Sequence, residues 1–178
     1  MPQLPNDKED AVQKIMNQWQ QEGFDRDDLV AMEVIGRIKR LEVKFMRRLS
    51  ANYKSKYQLS YWEFDVLATL RRSGKPYCLS PTMLFDSLMV SSGTMTNRLQ
   101  HLEKKQLIER VENKDDKRSL LVQLSAKGTE LIDAALASHI QLENDLMNGM
   151  SQEELMILNL LLKKIEAQLP TPAINDRN

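Results

Sequence analysis

The chain changes its hydrophobic period twice in its central third, and this change limits the available folds more than any other feature. Two short segments with helical spacing come first, and the tight join Val90-Ser91-Ser92-Gly93 separates them. The period then becomes that of β-strands in LIERV (107–111) and SLLVQL (119–124), on either side of a charged loop at 112–118. From Ser125 the helical spacing returns. The pattern predicts two closely joined helices followed by a β-hairpin with a charged tip.

Capping residues mark the helix boundaries. A serine side chain accepts N–H groups at a helix start, and proline loses nothing at the first helical position because the N–H there has no partner. The predicted starts are Ser60, Ser80 followed by Pro81, Ser125, and Ser151 with Glu154 as a capping box. Apolar spacing predicts two more helices, over residues 10–20 and from about Leu29 to Lys54, with a break at 20–28.

The charge distribution excludes one class of protein. The 178 residues include 25 Lys plus Arg and 25 Asp plus Glu, so the formal net charge is zero and a histone-like polyanion binder is excluded. Residues 29–60 nevertheless carry 8 basic and 2 acidic side chains, whereas residues 1–28 carry 3 and 7 and residues 125–178 carry 4 and 8. The basic charge is therefore central, and both ends are acidic.

The sequence gives little support for a metal-binding protein, a membrane protein or an enzyme. The single cysteine, Cys78, cannot form an internal disulfide or a zinc cluster, and His101 and His139 have no metal-binding spacing. No apolar run approaches the roughly 18 residues of a membrane span, and the N-terminus is not a signal peptide, so a cytoplasmic protein is expected. Glycine-rich phosphate loops and hydrolase motifs are absent from the sequence. We therefore expect no cofactor, no metal and no enzymatic activity.

The second short helix has an apolar side and a polar side. At 100° per residue, Leu99 and Leu102 fall within about 40° of Met95, so this side should pack inward. The opposite side, called here the polar side, carries Gly93, Thr96, Asn97, Gln100 and Lys104. These groups suit base edges in a DNA major groove, and Ser91, Ser92 and Gly93 allow phosphate to approach the helix N-terminus. The alternative is a solvated helix face without a ligand.

Helix, tight turn, helix and charged hairpin is the order of a winged helix-turn-helix. The predicted fold class is mainly α with a small β-hairpin, in which this core is flanked by N- and C-terminal dimerisation helices. The predicted parts are 1–28 (extra helix and acidic linker), 29–60 (dimerisation helix), 61–124 (DNA-binding core), 125–169 (C-terminal dimerisation helices) and 170–178 (disordered tail).

Several motifs resemble the MarR family of bacterial transcription regulators. They are SSGTMTNRL (91–99), LIER (107–110), the D-x-R of Asp116 and Arg118, and LSAKG (124–128). The resemblance covers roughly Leu29–Leu169 and implies a homodimer that binds a palindromic operator, with its two recognition helices about 34 Å apart. A monomer with its terminal helices folded back is the alternative. A winged helix that binds protein and not DNA is the other remaining class.

The charged hairpin tip corresponds to the wing of this family. Lys114, Lys117 and Arg118 would then reach the minor groove or its phosphates, and by the resemblance Asp116 orients Arg118. A plain exposed turn is the alternative. Gln106 stands where the family usually has a glycine, which costs about 1 kcal/mol if that position is left-handed.

Three residues are candidates for binding a small effector. Asp65 has mostly apolar helix neighbours, and Arg98 falls at the edge of the apolar side of the second short helix. Partly buried acidic and basic groups of this kind have shifted pKa values and often mark functional sites. The residues alone also allow a structural Asp65–Arg98 ion pair, with Trp19 as a packing anchor.

A second resemblance concerns these three residues. The segments AVQKIMNQW, FDVLATLRRS and TNR resemble the urate-responsive branch of the family. By that resemblance Trp19 stacks on a small aromatic anion, Asp65 accepts its ring N–H groups and Arg98 binds its negative charge. Urate fits this description, and phenolic or other aromatic carboxylates remain open. Cys78 lies in a predicted short strand, where a buried, inert thiol is favoured over a redox sensor.

Overall fold

A computed structural model describes residues 9–114, 116 and 118–169. The described residues form two compact units, which meet in sequence between residues 48 and 49. In chain order, the helices and strands of the described residues are α1 (Ala11–Gln21), α2 (Arg26–Tyr57), α3 (Tyr61–Arg72), β1 (Cys78–Leu79), α4 (Pro81–Leu88), α5 (Ser92–Lys104), β2 (Ile108–Glu112), β3 (Leu120–Leu124), α6 (Ala126–Leu146) and α7 (Gln152–Glu166). The predicted tail at 170–178 lies outside the described residues.

In the N-terminal unit, helix α1 packs against the first part of α2. Val12 and Met16 are buried in one cluster with Leu29, and Ile15 packs against it. The helix predicted over residues 10–20 is present, but Trp19, at the end of its apolar spacing, is exposed. Asp10 caps the helix, since one of its carboxylate oxygens accepts the N–H groups of Val12 and Gln13 at 2.8 Å each. This cap fixes where the helix begins.

Helix α2 is longer than the sequence predicted. It was expected from about Leu29 to Lys54, but it runs from Arg26 to Tyr57. The sequence predicted a break between helices over the whole of residues 20–28. Asp27 and Asp28 nevertheless lie in the first turn of α2. Carboxylates are favourable there because they lie at the positive end of the helix dipole.

The helix starts predicted from serine residues are confirmed. The observed N-cap residues are Ser60 for α3, Ser80 for α4, Ser125 for α6 and Ser151 for α7. The capping box at Ser151 is complete, because Glu154 Oε2 accepts the Ser151 N–H at 2.8 Å and Ser151 Oγ accepts the Glu154 N–H at 3.2 Å. Each cap contact joins residues at most three or four positions apart. The geometry of one helical turn fixes such residues relative to one another, so the sequence pattern predicts the contact.

The predicted hairpin is present and belongs to a three-stranded antiparallel sheet in the order β1-β3-β2. Ile108 pairs with Leu124 at the base of the hairpin, and Glu112 pairs with Leu120 near its tip. The short strand β1 joins the other edge of β3, where Cys78 pairs with Gln123. The wing is thereby attached to the segment that precedes α4.

One core unites the helices and the sheet of the second unit. Its fully buried members include Tyr53 of α2, Leu67 and Leu70 of α3, Leu84 of α4, Leu99 and Leu102 of α5, Val122 of β3 and Ile132 of α6. Because helix α5 contributes to this core, its orientation is fixed by packing as well as by its cap.

Gln106 is in the left-handed conformation, with φ 60°. Replacing it with glycine should raise the free energy of unfolding by about 1 kcal/mol, because glycine has no Cβ to strain this conformation. Urea denaturation measures the change. Ala137→Gly, at an exposed position inside α6, should have the opposite effect of about 1 kcal/mol. An unchanged or lower stability of Gln106→Gly would show that the conformation imposes no strain.

Candidate nucleic-acid interface and effector residues

Helix α5 begins at a sharp corner after α4. Met89 ends α4 in the left-handed conformation, with φ 51° and ψ 42°, and its N–H donates to the Asp86 carbonyl at 3.3 Å. Ser91 then caps α5, where its Oγ accepts the N–H of Thr94 at 3.3 Å. The residues proposed for phosphate contact, Ser91, Ser92 and Gly93, are exposed at this helix N-terminus. The corner therefore presents the positive end of α5 to solvent.

The two sides of α5 are oriented as the helical wheel predicted. Met95, Leu99 and Leu102 are buried, with 0–1% of their surface exposed. All members of the polar side are exposed: Gly93, Thr96, Asn97, Gln100 and Lys104.

The polar side chains of α5 differ in their internal bonding. The Thr96 hydroxyl donates to the Ser92 carbonyl at 2.9 Å. Within the described residues, the side chains of Asn97 and Gln100 make no hydrogen bond. Their amide groups are thus available to an external partner such as a base edge, which presents both donors and acceptors.

A buried carboxylate anchors the C-terminal half of α5. Glu63 of α3 is 3% exposed, and one of its oxygens lies 3.0 Å from His101 Nε2 and accepts a hydrogen bond from Lys105 Nζ. The other oxygen accepts the Ser60 N–H and hydroxyl at 2.7 Å each. Burial acts to raise the pKa of Glu63, but the hydrogen bonds from Lys105 and Ser60 outweigh burial and hold this pKa below its ordinary value. The Glu63 carboxylate therefore joins the start of α3 to the end of α5.

The wing places Arg118 in solvent. Its side chain is 93% exposed, and Asp116 Oδ1 accepts the Arg118 backbone N–H at 3.0 Å and its Nε–H at 3.3 Å. Lys114 is also exposed, and Lys117 lies outside the described residues. Asp116 thus contacts Arg118 through two hydrogen bonds, while most of the Arg118 side chain remains accessible.

Asp65 and Arg98 lie in the same unit but do not form a direct ion pair. In the described part of the chain, no hydrogen bond or salt bridge joins them. Burial raises the pKa of Asp65 above its ordinary value, although the charges of Arg72 and Arg98 act in the opposite direction. Arg98 contacts an aromatic ring, with its guanidinium carbon 5.5 Å from the centre of the Trp62 indole. A partly buried carboxylate without a bonded cation is a feature of ligand sites.

Trp19 and Cys78 have separate surroundings. Trp19 belongs to the N-terminal unit, is 40% exposed, and packs edge-on against Phe24 with ring centres 5.4 Å apart. Cys78 lies in β1, and burial raises the pKa of its thiol. A raised pKa keeps the thiol protonated and less reactive, as expected for an inert cysteine.

The described residues offer neither a membrane-spanning helix nor a cluster of metal ligands. None of their helices is long and apolar enough to cross a membrane. No group of three or more His, Cys, Asp or Glu side chains is placed to hold a metal ion within residues 9–114, 116 and 118–169.

Known proteins similar to this chain are transcription regulators. Residues 48–135 match the family model for the transcriptional regulator SarA/Rot. The HTH-type transcriptional regulator PecS of Dickeya dadantii is 39% identical over 89% of this chain and 94% of its own length. The chain belongs to the MarR family of winged-helix transcriptional regulators. It is a DNA-binding transcription regulator, and the family is not enzymatic.

Other members of the MarR family support this assignment. The multiple antibiotic resistance protein MarR of Salmonella typhimurium is 34% identical over 66% of this chain and 81% of its own. A mutant MarR from E. coli, solved in complex with operator DNA, has a TM-score of 0.66 and 28% identity, and covers 80% of this chain and 98% of that one. The predicted winged helix-turn-helix fold is thus confirmed.

Two residues of this MarR-family chain were missed as site residues. Glu63 anchors α5, and the spacing Ser60-x-x-Glu63 in the sequence marks it as a capping-box residue without indicating His101 or Lys105. Trp62 lies one turn before Asp65 on α3, and the sequence pattern gives it no site role. Its contact with Arg98 joins residues 36 positions apart, and no local pattern predicts such a contact.

Proposed function

We propose that this MarR-family chain is a homodimeric repressor that binds a palindromic operator and that a small aromatic anion releases it. The observation that supports DNA recognition most directly is the exposed polar side of α5. Its unbonded Asn97 and Gln100 amides project from a helix whose other side is buried. A rigid helix with free donors and acceptors is suited to a major groove.

The proposed DNA contacts divide into base-reading and phosphate-binding groups. Thr96, Asn97 and Gln100 read base edges, and the N-terminal residues Ser91, Ser92 and Gly93 contact phosphate. The remaining phosphate contacts are basic side chains of α5 and the wing, namely Lys104, Lys114, Lys117 and Arg118. In this proposal Asp116 sets the position of Arg118.

Asn97→Ala should cost about 1–3 kcal/mol on the cognate palindrome and relax specificity at one base pair, because it removes a bidentate amide. Arg118→Ala should weaken binding to all sequences and reduce the slope of log affinity against log salt by about 1. Fluorescence anisotropy with promoter DNA upstream of the protein's own gene, at several salt concentrations, measures both effects. Asn144→Ala and Lys14→Ala, at exposed positions of α6 and α1, are the matched controls. If both site variants bind as wild type does, the DNA interface is assigned wrongly.

The proposed dimer would cover apolar surface that the single chain exposes. No residue of α7 in the described range is buried. Its exposed apolar side chains are Met156, Ile157, Leu158, Leu160, Leu161, Leu162 and Ile165. Helix α2 likewise exposes Val34, Ile38 and Leu41. Exposed apolar side chains in such numbers on one helix are typical of an oligomer interface.

Light scattering should give a mass of about twice 20.6 kDa. Truncation after Ser151 should lower this mass or cause aggregation, because α7 contributes much of the exposed apolar surface. The double substitution Leu158→Glu and Leu162→Glu should act similarly, while Gln152→Glu, at a polar position of the same helix, should not. A well-behaved wild-type monomer would contradict the palindrome argument as well as the dimer.

The proposed effector residues are Trp19, Asp65 and Arg98. The support is the partial burial of Asp65, which has no directly bonded cation among the described residues, and the position of Arg98 on α5. An anion bound to Arg98 would change the packing of α5, so effector and DNA would each weaken the binding of the other by the same factor. A tenfold effect requires about 1.4 kcal/mol of differential binding. Urate is the first candidate, and a phenolic or other aromatic carboxylate is the alternative.

A further inference from the structure

Trp62 is the point where α3 meets one edge of helix α5. The Arg98 guanidinium carbon lies 5.5 Å from the centre of its ring, and the His101 ring lies 5.3 Å away at 65°. Arg98 and His101 are three residues apart and therefore share one side of α5. We propose that Trp62 is a further effector-binding residue, on which a planar anion held by Arg98 stacks, and that separation of Trp62 from Arg98 transmits effector binding to α5. This inference rests on the proposed effector site at Asp65 and Arg98.

The groups around Trp62 match the chemistry of a planar aromatic anion. Trp62 provides an aromatic face and Arg98 a cation, while Asp65, one turn after Trp62 on α3, provides a hydrogen-bond acceptor. All three side chains are partly exposed, so a small molecule can reach them. Stacking, charge neutralisation and hydrogen bonding to ring N–H groups thus come from two neighbouring helices of one unit.

The same contact explains how an effector would change α5. The Arg98 guanidinium already lies over the indole in a cation–π contact. An anion that pairs with this guanidinium and stacks on the indole needs the space between them, so the two side chains must separate. Glu63 meanwhile holds His101 and Lys105. The displacement is therefore directed to the part of α5 that carries Thr96, Asn97 and Gln100.

Trp19 offers similar ring chemistry but a different contact. Its aromatic partner is Phe24 of the N-terminal unit. Among the described residues, Trp62 is the tryptophan that contacts α5, through Arg98 and His101. If effector binding moves α5, the fluorescence of Trp62 should therefore change.

The first test uses the full-length wild-type protein, in which Trp19 is intact. Because the chain has 2 tryptophans, the emission of Trp62 is the difference between wild type and Trp62→Phe. Urate and salicylate are the probes. The Trp62 fluorescence lifetime and the anisotropy of labelled promoter DNA are recorded over one titration. We expect the lifetime to fall with the same half-saturation as DNA release, while free N-acetyltryptophanamide shows only linear collisional quenching.

The second test compares Trp62→Leu with the conservative Trp62→Phe. Loss of the ring should weaken effector binding at least tenfold and reduce the effector-induced loss of DNA affinity, whereas phenylalanine should retain most of both. DNA affinity without effector reports whether each variant remains folded, and Arg98→Ala gives the response of a protein without the cation.

The outcomes separate this proposal from the effector function on which it rests. If DNA is released while the Trp62 lifetime stays unchanged, or if Trp62→Leu responds as wild type does, the role of Trp62 is overturned and the site at Asp65 and Arg98 stands. If millimolar urate and salicylate both fail to release DNA from the wild-type protein, the effector function itself fails. Lifetime quenching together with loss of the response in Trp62→Leu supports the proposal.

Discussion

Gly128→Ala should destabilise the protein by about 3 kcal/mol, because the added methyl group has no space. A Cβ at this position would lie 1.9 Å from the Leu107 carbonyl oxygen and 2.9 Å from the carbonyl carbon. Both are backbone atoms, so no side-chain rotation can relieve the overlap. The start of the hairpin would have to move away from α6, where the Ser125 N–H donates to this same carbonyl at 3.2 Å.

The matched control is Gly149→Ala, which meets no atom within 4 Å. Its stability in urea should be equal to or slightly above that of wild type, because alanine has less conformational freedom in the unfolded chain. Gly128→Ala should also shift the wing from its native position, so the DNA affinity of this variant should fall more than that of the control. A Gly128→Ala protein as stable as wild type would show that the helix and the hairpin are not in close contact.

Glu63→Ala should lower the free energy of unfolding by about 2–3 kcal/mol at pH 7. Loss of one partner from a buried ion pair costs about 3–5 kcal/mol, and the value is smaller here because Lys105 and His101 are partly exposed to water. Glu63→Gln should lose less, because its amide oxygen still accepts the Ser60 N–H. Glu153→Ala, at an exposed position of α7, is the control and should have little effect.

The contribution of Glu63 should also depend on pH in a defined direction. Because the folded protein holds the pKa of Glu63 below its ordinary value of 4.5, this stabilisation is complete above that value and is lost as the pH falls through the folded pKa. The difference in stability between wild type and Glu63→Gln should therefore be constant above about pH 5.5 and shrink below about pH 4.5. Urea denaturation between pH 3 and 7 measures it. A difference that grows as the pH falls would contradict the assignment.

Both stability predictions concern the contacts that hold the proposed DNA-binding elements. Gly128 allows α6 to approach the base of the wing, and Glu63 fixes the end of α5 against α3. Neither residue belongs to the proposed DNA surface. Their substitution should therefore weaken DNA binding through the position of the elements, without a change in base preference.

The boundaries of α2 show where local patterns fail. The segment 20–28 combines Gly23 with five acidic or basic residues at 22 and 25–28, and composition alone predicts a break. The structure uses only residues 22–25 for the connection and begins the next helix at Arg26. The same aspartates that suggest a solvated linker also stabilise a helix start, and sequence composition does not separate these two effects.

The sequence by itself determined the winged-helix order, the serine-capped helix starts, the buried side of α5 and the exposure of its polar side. Each of these depends on residues within one or two turns or within one hairpin, where backbone geometry fixes their relation. Only the tertiary structure decided that Glu63 anchors His101, 38 positions away, and that Arg98 contacts Trp62 without an ion pair to Asp65. These contacts arise because packing of the shared core brings α3 beside α5, and the side chains that then meet follow from the three-dimensional path of the chain and from no repeating pattern along it.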